Sequence, residues 1–296
     1  LTAMSEAERC EKSGVLQMLG SVVLFTVNTL LVRWLSLRFP DLDGWQVTLF
    51  RGLAGVVLVW LLFTRGRGLE AGHLVSRPLV VLRGLLGACG IYLYYLSIIH
   101  LGAGRAVIIN LTYPIFASII AAVFLKEALS KRKFTWIIAG FCGLIVFLGD
   151  QSLAGGVSKY DLLALLGAIF AAAVVVLIRK LHHTEHTSTI YAAQCVYGAL
   201  LAIPFAAPDL PTLPLNAGLW LLAAGGVVTF GQLWMTQAYR HLDVSTGASI
   251  QMLLPICTAV GGYFLFQERF TTIELSGAIL TLLATYQVMR KKNRSS

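Results

Sequence analysis

Two stretches decide the fold when they are set against each other: residues 100–130, HLGAGRAVIINLTYPIFASIIAAVFLKEALS, and residues 241–271, HLDVSTGASIQMLLPICTAVGGYFLFQERFT. At a constant offset of 141, His100 pairs with His241, Leu101 with Leu242, Ile109 with Ile250, Pro114 with Pro255, Ile115 with Ile256 and Glu127 with Glu268. The same offset pairs Gly84 with Gly225 and Gly90 with Gly231, while the first spans of the two halves align less well, near Gly20 and Gly167. Self-similarity over this length reads as a duplicated structural unit.

What surrounds the two stretches says where the unit sits. Of 296 residues, 57% are hydrophobic and 12% are charged, against roughly 25% charged in a soluble domain. So few charges cannot cover a surface that faces water, so the chain is read as embedded in a lipid bilayer. A hydrocarbon core of about 30 Å needs about 20 helical residues. Ten runs qualify: 14–36, 45–64, 77–99, 103–125, 134–150, 160–179, 187–207, 216–238, 244–266 and 272–290. The expected fold is an all-α membrane protein of ten transmembrane helices. Residues 1–13 form a tail, 14–150 a first five-helix repeat, 151–290 a second, and 291–296 a basic tail.

Charge sets the orientation. With the N-terminus inside, seventeen Lys and Arg residues fall on the cytoplasmic side and five outside, leaving Arg51 within the second span. The five are Arg33, Arg38, Arg105, Lys159 and Arg269. Cytoplasmic loops accumulate cations, so both termini are expected in the cytoplasm. The net charge of +9 is then a product of topology, and without a basic stripe interleaved with aromatics it does not imply nucleic acid. Trp34, Trp45, Trp60, Trp136, Trp220 and Trp234 lie near span ends, where interfacial aromatics concentrate. Because five is odd, the second repeat must enter the membrane from the opposite side. An inverted duplicate has two near-equivalent packings that exchange the open side, the physical basis of alternating access.

The recurrence of a Pro-containing span, then Glu-x-[Leu/Phe]-[Ser/Thr], then a last span resembles the drug/metabolite transporter superfamily in its ten-helix EamA-like branch. Within that branch the chain is similar to bacterial aromatic amino-acid exporters. The resemblance implies a bacterial inner-membrane exporter that takes a small-molecule substrate. One position departs from it: where the family's last span often begins with Gly, this chain has Trp136 opposite Gly277.

The residues narrow the substrate. All fourteen acids lie in tails, loops or the end turns of spans. A carboxylate at the midplane is the usual counter-ion for a cationic drug or a shuttled proton, so a neutral or zwitterionic solute such as an amino acid is expected. Asn28 sits in the middle of the first span. Asn110, Tyr113 and Pro114 occupy one turn of the fourth, and the repeat mates of Asn110 and Pro114 are Gln251 and Pro255. Each Pro leaves the carbonyl four residues earlier without its helical partner. Two helices thus offer an amide and a free carbonyl at matching depth, which suits both charges of a zwitterion. The same amides could instead bond neighbouring helices. Tyr92 and Tyr95, three apart, either stack on a substrate or belong to the interfacial belt. Gln232 is a further cavity candidate, and Arg51 is expected to snorkel outward rather than bind a carboxylate.

No other chemistry competes. The run His182-His183-x-x-His186 matches no zinc spacing and reads as a solvated loop. Cys89, Cys142, Cys195 and Cys257 sit singly in apolar runs and read as small buried hydrophobes. There is no motif for a cofactor or a metal, and no activated nucleophile, metal helix or aspartate pair for an intramembrane enzyme. An assembly protein stays open as the alternative to transport of amino acids, other metabolites or drugs.

Overall fold

The structure, a computed structural model, describes residues 6–63, 68–124, 131–149, 157–242, 247, 250, 251 and 253–289. Among these, every regular element is helical. They are α1 (Glu6–Arg38), α2 (Gly44–Phe63), α3 (His73–Ser76), α4 (Pro78–Leu101), α5 (Ala103–Asn110), α6 (Tyr113–Phe124), α7 (Lys131–Gly149), α8 (Lys159–Leu181) and α9 (Thr187–Ala206). After a 3-10 turn at Ala207–Thr212 come α10 (Leu215–Ala238), α11 (Leu253–Phe266) and α12 (Thr272–Met289). Glu127, Asp150, Asp243 and the tail 291–296 lie outside the described residues.

Among the described residues, seven helical stretches are long and apolar enough to cross a membrane, and Phe134–Phe147 and Leu253–Phe266 are shorter apolar helices. Their outward faces carry side chains such as Leu16, Val57, Ile145, Leu219 and Phe264, all more than half exposed. A water-facing surface would not carry so much contiguous apolar area. Lipid contact removes its cost. Cys142 and Cys257 share this exposed face, so only Cys195, and partly Cys89, fits the expectation of burial.

The helices pack in pairs that the duplication exchanges. α1 lies on α10 as α8 lies on α4, α2 on α10 as α9 on α4, and α1 on α11 as α8 on α6, while α2–α9 and α7–α12 map onto themselves. Repeat-equivalent glycines do equivalent work here. A Cβ on Gly84 would come within 2.8 Å of the Ala193 carbonyl in α9, and one on Gly225 within 3.0 Å of the Phe50 carbonyl in α2. Small residues permit such close backbone approach, and in lipid that is where helix association gains its contacts. Trp136 does not disturb the α7–α12 contact, because Gly143 and Gly277 face each other there: a Cβ on Gly277 would come within 2.8 Å of the Gly143 carbonyl, and one on Gly143 within 3.0 Å of the Gly277 carbonyl.

One span is not continuous. The sequence predicts a helix over 103–125, whereas the structure ends α5 at Asn110 and starts α6 at Tyr113. Leu111 has left the helical region (φ −72°, ψ 8°), and the Thr112 hydroxyl donates to the Ile109 carbonyl at 2.7 Å. Pro114 explains the break. A proline is costly in a helix interior but costs little in a first turn, where its missing N–H has no partner to lose.

The end of the bundle that the charge count assigns to the outside is held by ion pairs. Glu268 accepts from Arg33 Nε at 3.1 Å and from the backbone N–H groups of Ala103 and Gly104 at 2.9 and 3.1 Å, capping α5. Gly102 supplies the turn with φ +89°, and a Cβ there would strike the Glu268 carboxylate. Beside it, Arg105 pairs with Asp161 and Glu274, each at 2.9 Å, with all three side chains at most 8% exposed. Both acids stand at end turns, as the sequence indicates. Their burial was not readable from position alone.

Candidate functional site

The interior of the bundle holds a polar cluster built from both halves. Arg51 stands seven residues into α2, about 10 Å from its start. It turns inward instead of snorkelling and is 7% exposed. Its Nη1 donates to the Tyr95 hydroxyl of α4 at 2.9 Å, and its Nη2 reaches Gln232 Oε1 of α10 at 3.5 Å. Asn28 of α1 donates from Nδ2 to the same Tyr95 hydroxyl at 3.3 Å, and its Oδ1 has no partner. Next to this group, the Tyr94 and Thr29 hydroxyls are 3.0 Å apart. Asn28, Tyr95 and Gln232, chosen from sequence on separate grounds, therefore meet around one guanidinium.

A second arginine lies deeper than the sequence reading placed it. Arg83, counted among the cytoplasmic cations, is 1% exposed in α4. Its Nη2 donates to Gln194 Oε1 of α9 at 2.5 Å, while Nε and Nη1 have no partner. A Cβ on Gly87, one turn further along α4, would collide with Nη1. That Arg-x-x-x-Gly spacing is the signal through which sequence reasoning could have found the site. Beside Arg51 lies a narrow cavity of about 10 Å³, lined by Thr48, Arg51, Gly52, Ala88, Gln194 and Cys195 among others.

The other expected residues divide. Tyr92 does not join Tyr95; it stacks on Trp45 at 3.6 Å, and Trp45 stacks on Phe205 at 4.5 Å, which favours the belt reading. Tyr113 donates its hydroxyl to Gln251 Oε1 at 2.8 Å, joining the two halves. Gln251 is thus occupied by a neighbouring helix, the alternative that the amide argument left open. Asn110 is half-buried at the α5 terminus, Pro114 stands in the first turn of α6, and Pro255 is buried in α11. In the loop that precedes α9, Glu185 is buried, and its Oε2 lies 2.8 Å from His73 Nδ1. Glu70 lies 3.0 Å from the same nitrogen. Ligand atoms of Glu70, His73 and Glu185 thus converge within 4.8 Å of one another.

Comparison with known proteins matches this arrangement. The sequence pattern of the EamA-like transporter family fits twice, over residues 12–149 and 158–290. A pseudopaline exporter of Pseudomonas aeruginosa is 28% identical over 286 residues, covering 95% of this chain and 97% of that protein. An S-adenosylmethionine uptake transporter of Rickettsia bellii is 26% identical over 298 residues (99% and 98% covered). A riboflavin transporter of Rhizobium johnstonii is 27% identical over 293 residues (95% and 92%). A crystal structure with 15% identity superposes with a TM-score of 0.61 over 96% of both chains, a likeness of fold. The relatives are transporters of small molecules, and their names include both export and uptake. A bundle of lipid-facing helices packed in exchanged pairs, matched twice by one family pattern, makes this chain a multi-pass membrane transporter of the EamA-like transporter family.

Proposed function

We propose that this protein exports amino acids and small amino-acid-derived metabolites across the bacterial inner membrane, by alternating access between two inverted five-helix halves with both termini in the cytoplasm. The observation that carries the reading is the cluster of Arg51, Tyr95, Asn28 and Gln232, since a rocking motion of one half against the other remakes contacts drawn from both. Its chemistry suits the solute. A guanidinium and two amides donate to a carboxylate, amide oxygens such as the free Asn28 Oδ1 accept from an ammonium, and Tyr95 adds an aromatic face. Breadth is expected, because a site of amides and tyrosines recognises the amino-acid backbone more than its side chain.

The test is counterflow into proteoliposomes of purified protein preloaded with neutral, aromatic and acidic amino acids, sugars and quaternary amines. Saturable exchange of carboxylate-bearing amino compounds is expected. Exchange restricted to sugars or quaternary amines would overturn the substrate assignment, and no exchange of any solute would remove transport itself.

A further inference from the structure

Two arginines are buried beside one small cavity, Arg51 in its wall and Arg83 behind the lining residue Gln194, and among the described residues neither forms an ion pair with a carboxylate. Elsewhere in this protein buried cations are neutralised: Arg105 has two carboxylates and Arg33 has Glu268. Arg51 has only a phenol and an amide oxygen, and Arg83 only one amide oxygen, with Nε and Nη1 bare. Burying a charge without a counter-charge is costly in lipid, and ionisable groups kept there mark the solute path. Arginine keeps its proton under all ordinary conditions, so the site cannot relieve the cost by becoming neutral. Gln194 connects the pair, since it accepts from Arg83 and lines the same cavity as Arg51.

We infer that Arg51 and Arg83 form a paired-cation site for a small organic dianion, a dicarboxylate or a phosphate monoester, whose acidic oxygens engage both guanidinium groups. The inference rests on the transport reading and moves its substrate class from zwitterions to solutes with two negative charges. Planar guanidinium matches carboxylate and phosphate alike through two parallel N–H donors. Arg83 has two forks, Nε with Nη2 and Nη1 with Nη2, and the single bond to Gln194 takes one Nη2 hydrogen, so one fork stays open to an acid. The cavity holds only about 10 Å³, far below the roughly 300 Å³ of an ordinary ligand pocket, so it must open for the solute. The two unneutralised charges favour that opening by repelling each other.

The experiment is competition in proteoliposome counterflow among glutarate, its monoamide glutaramate, glycerol 3-phosphate and L-leucine, on the wild type, Arg83→Gln and Arg51→Gln. Wild type is expected to prefer glutarate or glycerol 3-phosphate over glutaramate by at least about tenfold, the scale of one charge-assisted contact. The better of the two dianions tells whether the acid is carboxylate or phosphate. Arg83→Gln should abolish the preference and leave glutaramate within about threefold, while Arg51→Gln weakens all the anions. The melting temperature of solute-free Arg83→Gln in detergent should stay equal or rise, because an unpaired charge has been removed. Preference for L-leucine in an actively exchanging wild type overturns the dianion and leaves transport standing. A variant Arg83→Gln that fails to fold or melts lower makes Arg83 a structural residue and overturns it as well.

Discussion

Arg105 and Asp161 meet at 2.9 Å, and the carboxylate oxygen that Arg105 leaves free accepts the backbone N–H of Ser158, closing a capping box at the start of α8. Glu274 repeats the arrangement at the start of α12: Oε1 takes Arg105 Nη1 and Oε2 takes the Thr271 N–H. One guanidinium on α5 therefore ties two helix N-termini together, with each acid placed where the helix dipole favours it.

Removing one partner from such a buried group leaves an uncompensated charge, at a cost of about 3–5 kcal/mol. Asp161→Asn and Arg105→Met should each lower the melting temperature in detergent by a clear margin. Neutralising all three residues should restore much of the loss. A triple variant no more stable than the worst single one would show that the geometry matters more than the charge.

The Tyr113–Gln251 bond makes a different prediction for each repeat-equivalent amide. Gln251→Leu leaves the buried Tyr113 hydroxyl without its acceptor, a loss of about 1–3 kcal/mol. Thermal stability should fall, and adding Tyr113→Phe should recover it. Asn110→Leu should leave stability nearly unchanged and reduce solute affinity about 10- to 150-fold if this amide lines the path. Equal thermal loss in both variants would make both amides helix contacts.

The proposed inversion of the two halves predicts a labelling pattern. In a background without native cysteines, single cysteines at Asp209 and Arg269, both exposed, should react in intact cells with an impermeant thiol reagent. Cysteines at Arg77 and Lys131, also exposed, should be protected until the membrane is permeabilised. Labelling of Arg77 and Arg269 from the same side would contradict the inversion.

His186 predicts a pH effect. Its Nδ1 accepts the Ser188 N–H at 3.3 Å and caps α9, which only an unprotonated ring nitrogen can do. Burial first, then the nearby Arg240 charge, hold its pKa below the ordinary histidine value. The unfolded chain therefore takes up the proton first. This contribution is intact above about pH 6.5 and is lost as pH falls toward the depressed folded value. The melting temperature of wild type should drop between pH 7.5 and 5.5 by more than that of His186→Asn, which keeps a cap without titrating. Identical slopes would remove the cap from the explanation.

The helices and the duplication were legible in sequence because they rest on quantities that add along the chain: hydropathy over about 20 residues and an offset repeated at Pro114 and Pro255. The break between α5 and α6 was half legible. Pro114 announces it, but whether the span kinks or divides depends on whether Thr112 finds the Ile109 carbonyl. The site was legible where a polar residue is improbable in lipid, as with Asn28, Tyr95 and Gln232. Only the tertiary structure decided that Tyr92 leaves for Trp45 while Tyr95 faces Arg51, and that Gln251 is already held by Tyr113. It also turned Arg51 inward and buried Arg83. A long cationic side chain near a span end can reach either the interface or the interior. Local sequence is the same in both cases, and the outcome depends on partners such as Gln194 and Gln232, which come from helices more than a hundred residues away.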